Sequence, residues 1–302
     1  MLDNGFVGDI IMKKTPTGTS TASAPAPAKS VDARVVRRLL PVLPLAAALL
    51  ASSCASVPIT GRRQLSLVSD QEVLSSSLTE YRSYMGKAKV SADKTRSAQV
   101  ARVGRRIADA TESYLRDNGL GREVANFAWE FNLVQDDEVN AFCMPGGKIV
   151  VYTGLMPLVA SDDELAVVLG HEVAHAVAKH SNERMSQQML ATAGAAVATE
   201  AVGRVDAAKR DTASTVFGLG AQVGVMLPFS RRHESEADYM GLALMAMAGY
   251  DPGAAVGFWK KMAAKGGSST PAILSSHPSD AKRVADIQGA LPEIRAKYAA
   301  KK

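Results

Sequence analysis

Cysteine is almost missing from this sequence. Its 302 residues hold two, Cys54 and Cys143, too few for a disulfide framework. Excess charge is scarce as well once the N-terminal stretch is set aside. The formal charge is +5, but the first 53 residues carry six Lys/Arg (Lys13, Lys14, Lys29, Arg34, Arg37, Arg38) against three Asp (Asp3, Asp9, Asp32), which leaves +2 on the remainder. A near-neutral body has no phosphate-binding footprint, and nucleic acid is excluded as a partner. There is no internal repeat, and no clear membrane span. The apolar run 39–50 is too short. The uncharged stretch 212–230 is long enough but carries Thr, Ser, Gln, several Gly and Pro228, so a mobile cover or helical hairpin is expected there. The remaining composition, 47% apolar and 22% charged, is that of an ordinary globular protein with a sizeable core.

The first residues divide into segments. Residues 1–30, rich in Thr, Ser, Ala and Pro from position 15, read as disordered or as an extension ahead of the natural start near 31–36. Residues 31–53 have the charge, apolar run and small residues of a secretory signal. A cysteine follows directly, so the segment resembles a bacterial lipobox, with Cys54 as the lipidated residue and new N-terminus. Leu50 stands one place further from the cysteine than the usual leucine, and an ordinary cleaved signal with a chance cysteine is the alternative. Ala55 after the cysteine points, by analogy with enteric bacteria, to the outer membrane. The domain proper is expected over 54–302, beginning with a short tether, 54–61.

Helices are expected from Asp70 to about Tyr84 and over 92–115. Phe127, Trp129, Phe131 and Leu133 alternate as in a half-buried strand. Extended segments flank Pro145-Gly146-Gly147 in a hairpin-like pattern. Ser161 and Glu164 form a capping-box pair ahead of a helix that is apolar on nearly every side and therefore buried. Further helices are expected from Ser230 to about Ala248, from Asp251 to about Ala264, and over 279–287 and 292–298, with a loop at 266–276.

The buried helix carries His171-Glu172-Val173-Ala174-His175. Two histidines one turn apart share a face and can reach one zinc ion. Glu172 stands about 100° around, beside the metal and placed to act as a general base on water. A chance pentapeptide is disfavoured, because a buried helix would then hold two histidines and a carboxylate uncompensated. The third ligand is not downstream in metzincin fashion: Ala178 and Ser181 stand where glycine and histidine are required, and His180 is one place off. Glu234, on a later helix, is the candidate. Asp238, one turn on, can orient a ligating histidine through its other ring nitrogen. Glu236 points the opposite way and is expected to face solvent.

These residues, His171-Glu172-x-x-His175 with Glu234-x-x-x-Asp238, resemble metallopeptidase family 48, the gluzincins that include HtpX and the CAAX prenyl proteases. The segment 140–155 resembles the strand and turn before the family's active helix. Ser276-His277-Pro278 with Arg283 is similar to its C-terminal motif. The segment 57–62 is similar to its bacterial periplasmic lipoprotein branch (LoiP-like and BepA-like), here without a tetratricopeptide tail. The resemblance implies an α+β, mostly helical, gluzincin-type zinc metallopeptidase domain whose small sheet lines the cleft with an edge strand. It implies one Zn2+ on His171, His175 and Glu234. Asn140 to Met144 is expected to form the edge strand above the cleft, with substrate backbone laid along Asn140, Ala141 and Phe142 as an added strand; an ordinary interior strand is the alternative. It also implies that His277 can approach the zinc as a removable fourth ligand, with Arg283 contacting substrate or oxyanion. The implied partners are misfolded or misassembled envelope polypeptides and, through Cys54, a membrane. A zinc-containing chaperone or binding lipoprotein with little turnover is the competing expectation.

Overall fold

The computed structural model describes residues 54–201, 230–265, 272–277 and 282–299. The expectations for the signal segment, for 212–229 and for the Gly266 end of the loop lie outside the described residues. Among the described residues, no helix is long and apolar enough to cross a membrane.

The order is β1 (Cys54–Ser56), β2 (Arg63–Leu65), α1 (Asp70–Met85), α2 (Lys94–Asp117), β3 (Glu130–Val134), β4 (Ala141–Met144), β5 (Lys148–Tyr152), α3 (Asp162–Val177), α4 (His180–Ala201), α5 (Arg231–Met247), α6 (Ala254–Lys265), α7 (Ala272–Ser276) and α8 (Arg283–Tyr298). Helix α3 begins where its capping residues place it. The Ser161 hydroxyl accepts the Glu164 N–H at 3.2 Å, while the Glu164 carboxylate reaches one residue further back than in a standard box, to Ala160 N–H at 2.8 Å. Three acids in its first turn complement the helix dipole. Helix α1 starts at Asp70 as expected and is capped by Ser69, with Glu72 closing a full capping box.

Helix α3 lies at the centre, packed against α2, α5, α6 and the sheet. Its closest neighbour is α5, and the reason is glycine on both sides. A Cβ at Gly170 would stand 2.9 Å from the Gly241 carbonyl oxygen, and one at Gly241 would stand 2.9 Å from the His171 backbone nitrogen. Neither helix has room for a side chain at the crossing. Gly241 is two turns beyond Glu234, so the face of α5 bearing Glu234 and Asp238 is the face pressed against His171.

The three-stranded sheet has the order β3-β5-β4, with β3 parallel and β4 antiparallel to β5, and β4 at an edge. Gly146 and Gly147 take φ of 89° and 81° in the turn joining β4 to β5, the left-handed region open to glycine. Of the alternating aromatics, Phe131 lies in β3, while Phe127 and Trp129 precede it and stack in series, with ring centroids 4.5 and 6.4 Å apart.

Three expectations are corrected. The 54–61 tether is instead half of a docked hairpin: Cys54–Ser56 pairs antiparallel with Arg63–Leu65, and Val57 is 1% exposed in the main core. The two closing helices are one, α8, with Pro292 inside it. The expected loop ends in a short helix, α7.

Gly241→Ala should force α3 and α5 apart and cost about 1–3 kcal/mol, as overpacking does. Gly257→Ala in α6, where a Cβ meets nothing within 4 Å, should be neutral or stabilising by about 0.5–1 kcal/mol. Denaturant melts of both variants check this; equal midpoints would show that the crossing is not tight.

Candidate metal centre

All five histidines of the chain are buried. His171 and His175 come from α3, His180 opens α4, His233 lies in the first turn of α5, and His277 follows α7. Helix α3 stops at Val177, and Lys179 takes a left-handed φ of 52°, a conformation that costs a residue with a Cβ about 1–2 kcal/mol. Salt bridges from its amine to Asp70 (2.6 Å) and Glu123 (2.7 Å) hold it there. The chain turns sharply at this residue, which brings the His180 ring back beside His175.

His171, His175, Glu234 and His277 offer one ligand atom each, all within 4.8 Å of one another. His175 Nε2 lies 3.1 Å from His171 Nε2, and His171 Nε2 lies 3.3 Å from His277 Nδ1. Glu234 Oε1 is 3.2 Å from His277 Nδ1 and 3.4 Å from His175 Nε2. Ligands at about 2.0–2.1 Å from a tetrahedral zinc are separated by about 3.3–3.4 Å, and these four separations, 3.1–3.4 Å, are close to that spacing.

The electrostatics agree. Burial drives His175 well below its ordinary pKa, which keeps the imidazole in its neutral, ligating form. Glu234 is held far below the usual carboxylate range: burial opposes this, but hydrogen bonds from His171, His175 and His277 outweigh it. Burial also lowers His171, yet Asp238 and Glu234 outweigh it and raise that imidazole to about 9. Buried Glu234 Oε2 has no hydrogen bond. A donor set of this kind calls for a cation at its centre, and zinc fits both its N/O chemistry and its spacing.

Asp238 Oδ1 lies 3.0 Å from His171 Nδ1, and Arg283 Nη2 donates to the same oxygen at 2.7 Å. The guanidinium carbon of Arg283 sits 3.3 Å from the Trp259 ring centroid, so Arg283 stands behind the ligands, committed to Asp238 and Trp259. Glu172 is 1% exposed. Burial raises its pKa, opposed by His277, His171 and the Cys143 backbone N–H. His277 Nε2 is 3.5 Å from Glu172 Oε1. Asn140 immediately precedes, and Ala141 and Phe142 begin, the edge strand β4, which packs on α3.

Glu236 is not solvent-facing. It is 7% exposed and accepts hydrogen bonds from His180, Thr60 and Arg62. It does point away from Glu234, as helix geometry requires, but that direction leads into α4 and the N-terminal hairpin. Sequence reasoning set His180 aside as one place off the metzincin position and gave no role to the His233, Glu183, Arg62 or Trp259 side chains. The one local signal was His180 itself, a second-helix histidine five places after His175.

The model of peptidase family M48 matches residues 94–291. Among curated proteins, the chain is 34% identical over 246 residues to the mitochondrial metalloendopeptidase OMA1 of Schizosaccharomyces pombe, covering 80% of this chain and 67% of that one. It is 43% identical over 156 residues to the protein of the same name from Arabidopsis thaliana, covering 52% of this chain and 30% of the relative. It is 28% identical over 193 residues to the β-barrel assembly-enhancing protease of Escherichia coli K12, covering 59% of this chain and 39% of that one. The chain thus spans as little as 30% of the length of a relative it matches.

Glu234→Gln should abolish tight zinc binding, and Asp238→Ala should weaken it about 10–100-fold, both read by competition with a chelator. Retention of wild-type affinity by Glu234→Gln would remove it from the ligand set.

Proposed function

The chain belongs to peptidase family M48 and carries that family's zinc metallopeptidase domain, and we propose that it acts as an endopeptidase of the bacterial cell envelope, degrading misfolded or misassembled envelope proteins. The observation that carries the reading is the buried cluster of three histidines and Glu234, whose ligand atoms lie within 4.8 Å of one another, with the buried Glu172 carboxylate beside it. His171, His175 and Glu234 would hold the zinc, which when bound would supply Lewis acidity at a scissile carbonyl and lower the pKa of water. Glu172, ionised above its raised pKa, takes a proton from the attacking water and passes it to the leaving nitrogen.

Substrate is held as an added strand. Tyr152 N–H donates to Asn140 C=O at 3.0 Å, so in the antiparallel register residues 140, 142 and 144 pair with β5. Of Asn140, Ala141 and Phe142, Ala141 is the one whose carbonyl turns to the free edge, while its N–H is held by the Asn140 side-chain oxygen at 2.9 Å. Main-chain recognition of this kind tolerates many sequences and suits unfolded polypeptides. Ala141→Pro should raise the Michaelis constant for peptides.

A catalytic zinc needs an open position. With His277 Nδ1 3.3 Å from His171 Nε2 and its Nε2 3.5 Å from Glu172 Oε1, the ring would occupy the place that water and a substrate carbonyl need once zinc is bound. We read this arrangement as a latent form that would become active when His277 withdraws. Restraint of this kind suits a protease with little sequence preference.

The envelope placement draws on the lipobox-like segment before Cys54 and on the Escherichia coli relative, whose name concerns β-barrel assembly; the OMA1 relatives are mitochondrial. Cys54 is the proposed lipid anchor, on the periplasmic side and in the outer membrane rather than the inner.

The test compares zinc content and casein cleavage in wild type, Glu172→Gln and His277→Ala. Wild type should hold one zinc per chain. Glu172→Gln should keep it and lose cleavage about 10²–10⁴-fold, the usual reach of a general base. His277→Ala should cleave faster than wild type at the same zinc stoichiometry. Equal casein cleavage by wild type and Glu172→Gln would sink the peptidase reading. Cys54→Ala protein that still fractionated with membranes would end the anchor reading.

A further inference from the structure

The two ligating histidines of α3 are oriented differently, and the difference points to the N-terminal hairpin. A neutral imidazole that ligates through Nε2 carries its proton on Nδ1, and in a buried site that N–H needs an acceptor. For His171 the acceptor is a carboxylate, Asp238 at 3.0 Å, itself gripped by Arg283 at 2.7 Å. For His175 the neighbour at 2.9 Å is another ring nitrogen, His180 Nδ1. Two facing ring nitrogens bond only if one is protonated. With the proton on His175, His180 must accept through Nδ1 and carry its own proton on Nε2. At that end Glu236 Oε2 lies 3.0 Å away. The proton arrangement that metal ligation demands is therefore the one that satisfies every group along the line.

Glu236 is fixed in turn from the hairpin. Thr60 Oγ1 donates to it at 2.6 Å and Arg62 Nε at 2.7 Å. The other end of the same guanidinium forks onto Glu183 at 2.9 and 2.6 Å, and His233 Nε2 lies 3.1 Å from Glu183 Oε2. The side chains of Arg62, Glu183 and Glu236 are 13%, 6% and 5% exposed. A buried ionic cluster is a poor way to gain stability, since apolar packing of the same volume does as well or better. Its value lies in direction.

We infer that Arg62 and Thr60 of the N-terminal hairpin, acting through Glu236 and His180, position the metal ligand His175, as Arg283 of α8 positions His171 through Asp238. The inference rests on the metal-site reading above. Arg62, Thr60, Glu236 and His180 touch neither substrate nor metal; they are positioning residues, and the hairpin is part of the metal centre.

The experiment uses the full-length protein. His180→Phe keeps the ring and its stacking on His233, whose centroid is 4.4 Å away, but removes the acceptor. Arg62→Met keeps the stem and removes the fork. Arg102→Ala, which breaks an exposed bridge to Asp162, is the control. Zinc affinity is read by chelator competition, ligand geometry by the visible spectrum of the cobalt(II)-substituted protein, and folding by the melting temperature of the metal-free protein. His180→Phe and Arg62→Met should bind zinc about 10–100-fold more weakly and shift the cobalt bands, while Arg102→Ala matches wild type. Arg62→Lys, which keeps the charge without the fork, should fall between. A purely structural staple would lower the metal-free melting temperature and leave the cobalt bands of the folded fraction in place, and that result overturns the inference. Wild-type affinity and spectrum in His180→Phe overturn it as well. If the two variants do not fold, Thr60→Val decides: it removes one donor to Glu236 without stranding a charge, and should weaken zinc and move the bands in the same direction by less, whereas no change in either refutes the inference. A wild-type protein that bound no zinc would instead refute the metal-site reading itself.

Discussion

The contact between α3 and α5 at Gly170 and Gly241 governs the rest of the structure. Each glycine leaves the opposite backbone no more than 2.9 Å from where a Cβ would be. That approach sets the distance between the helix bearing His171 and His175 and the helix bearing Glu234 and Asp238. With ordinary side chains at the crossing, the carboxylates of α5 would stand off from the imidazoles of α3, and four donors could not share one centre. Two residues that carry no chemistry thus decide whether the chemistry is possible.

Around that crossing the polar groups obey a strict account. A helix buried on nearly every side cannot hold two histidines and a glutamate unless each finds a partner. Each of these side chains has one. His171 faces Asp238, His175 faces His180, Glu234 lies among three imidazoles, and Glu172 meets the Cys143 backbone and His277. Outside this first ring stand two arginines from opposite ends of the domain, Arg62 and Arg283. Each presents a guanidinium to a carboxylate that looks inward. The site is therefore a set of concentric layers rather than a motif on one helix.

How much of this was legible in the sequence follows from the range over which each feature is determined. His171, Glu172 and His175 sit within one turn of one helix, so spacing alone places them. Glu234 and Asp238 share a face of a second helix and could be read as a pair. The start of α3 was legible because its capping serine is local. Glu236 was misjudged for a different reason. Single-helix geometry correctly turns it away from Glu234, but only tertiary structure says that α4 and the hairpin, rather than water, lie in that direction. The hairpin itself was hidden because Pro58, Ile59, Thr60 and Gly61 read as linker, and its strands are three residues each. Nothing in the neighbourhood of Arg62 announces a partner more than a hundred positions away.

The two arginines also set an order of events during synthesis. Arg62 lies near the start of the domain and Arg283 near its end, and both meet the same helix pair, so most of the site's contacts are distant along the chain. Contacts of this range form late and together. A nascent or truncated chain lacking α8 possesses the histidine pair but no clamp on Asp238, and a chain that has shed its first strands has none on Glu236. An incomplete molecule is thus poorly armed. For a peptidase, whose nearest unfolded polypeptide during biogenesis is itself, such late assembly is a safeguard built into the topology.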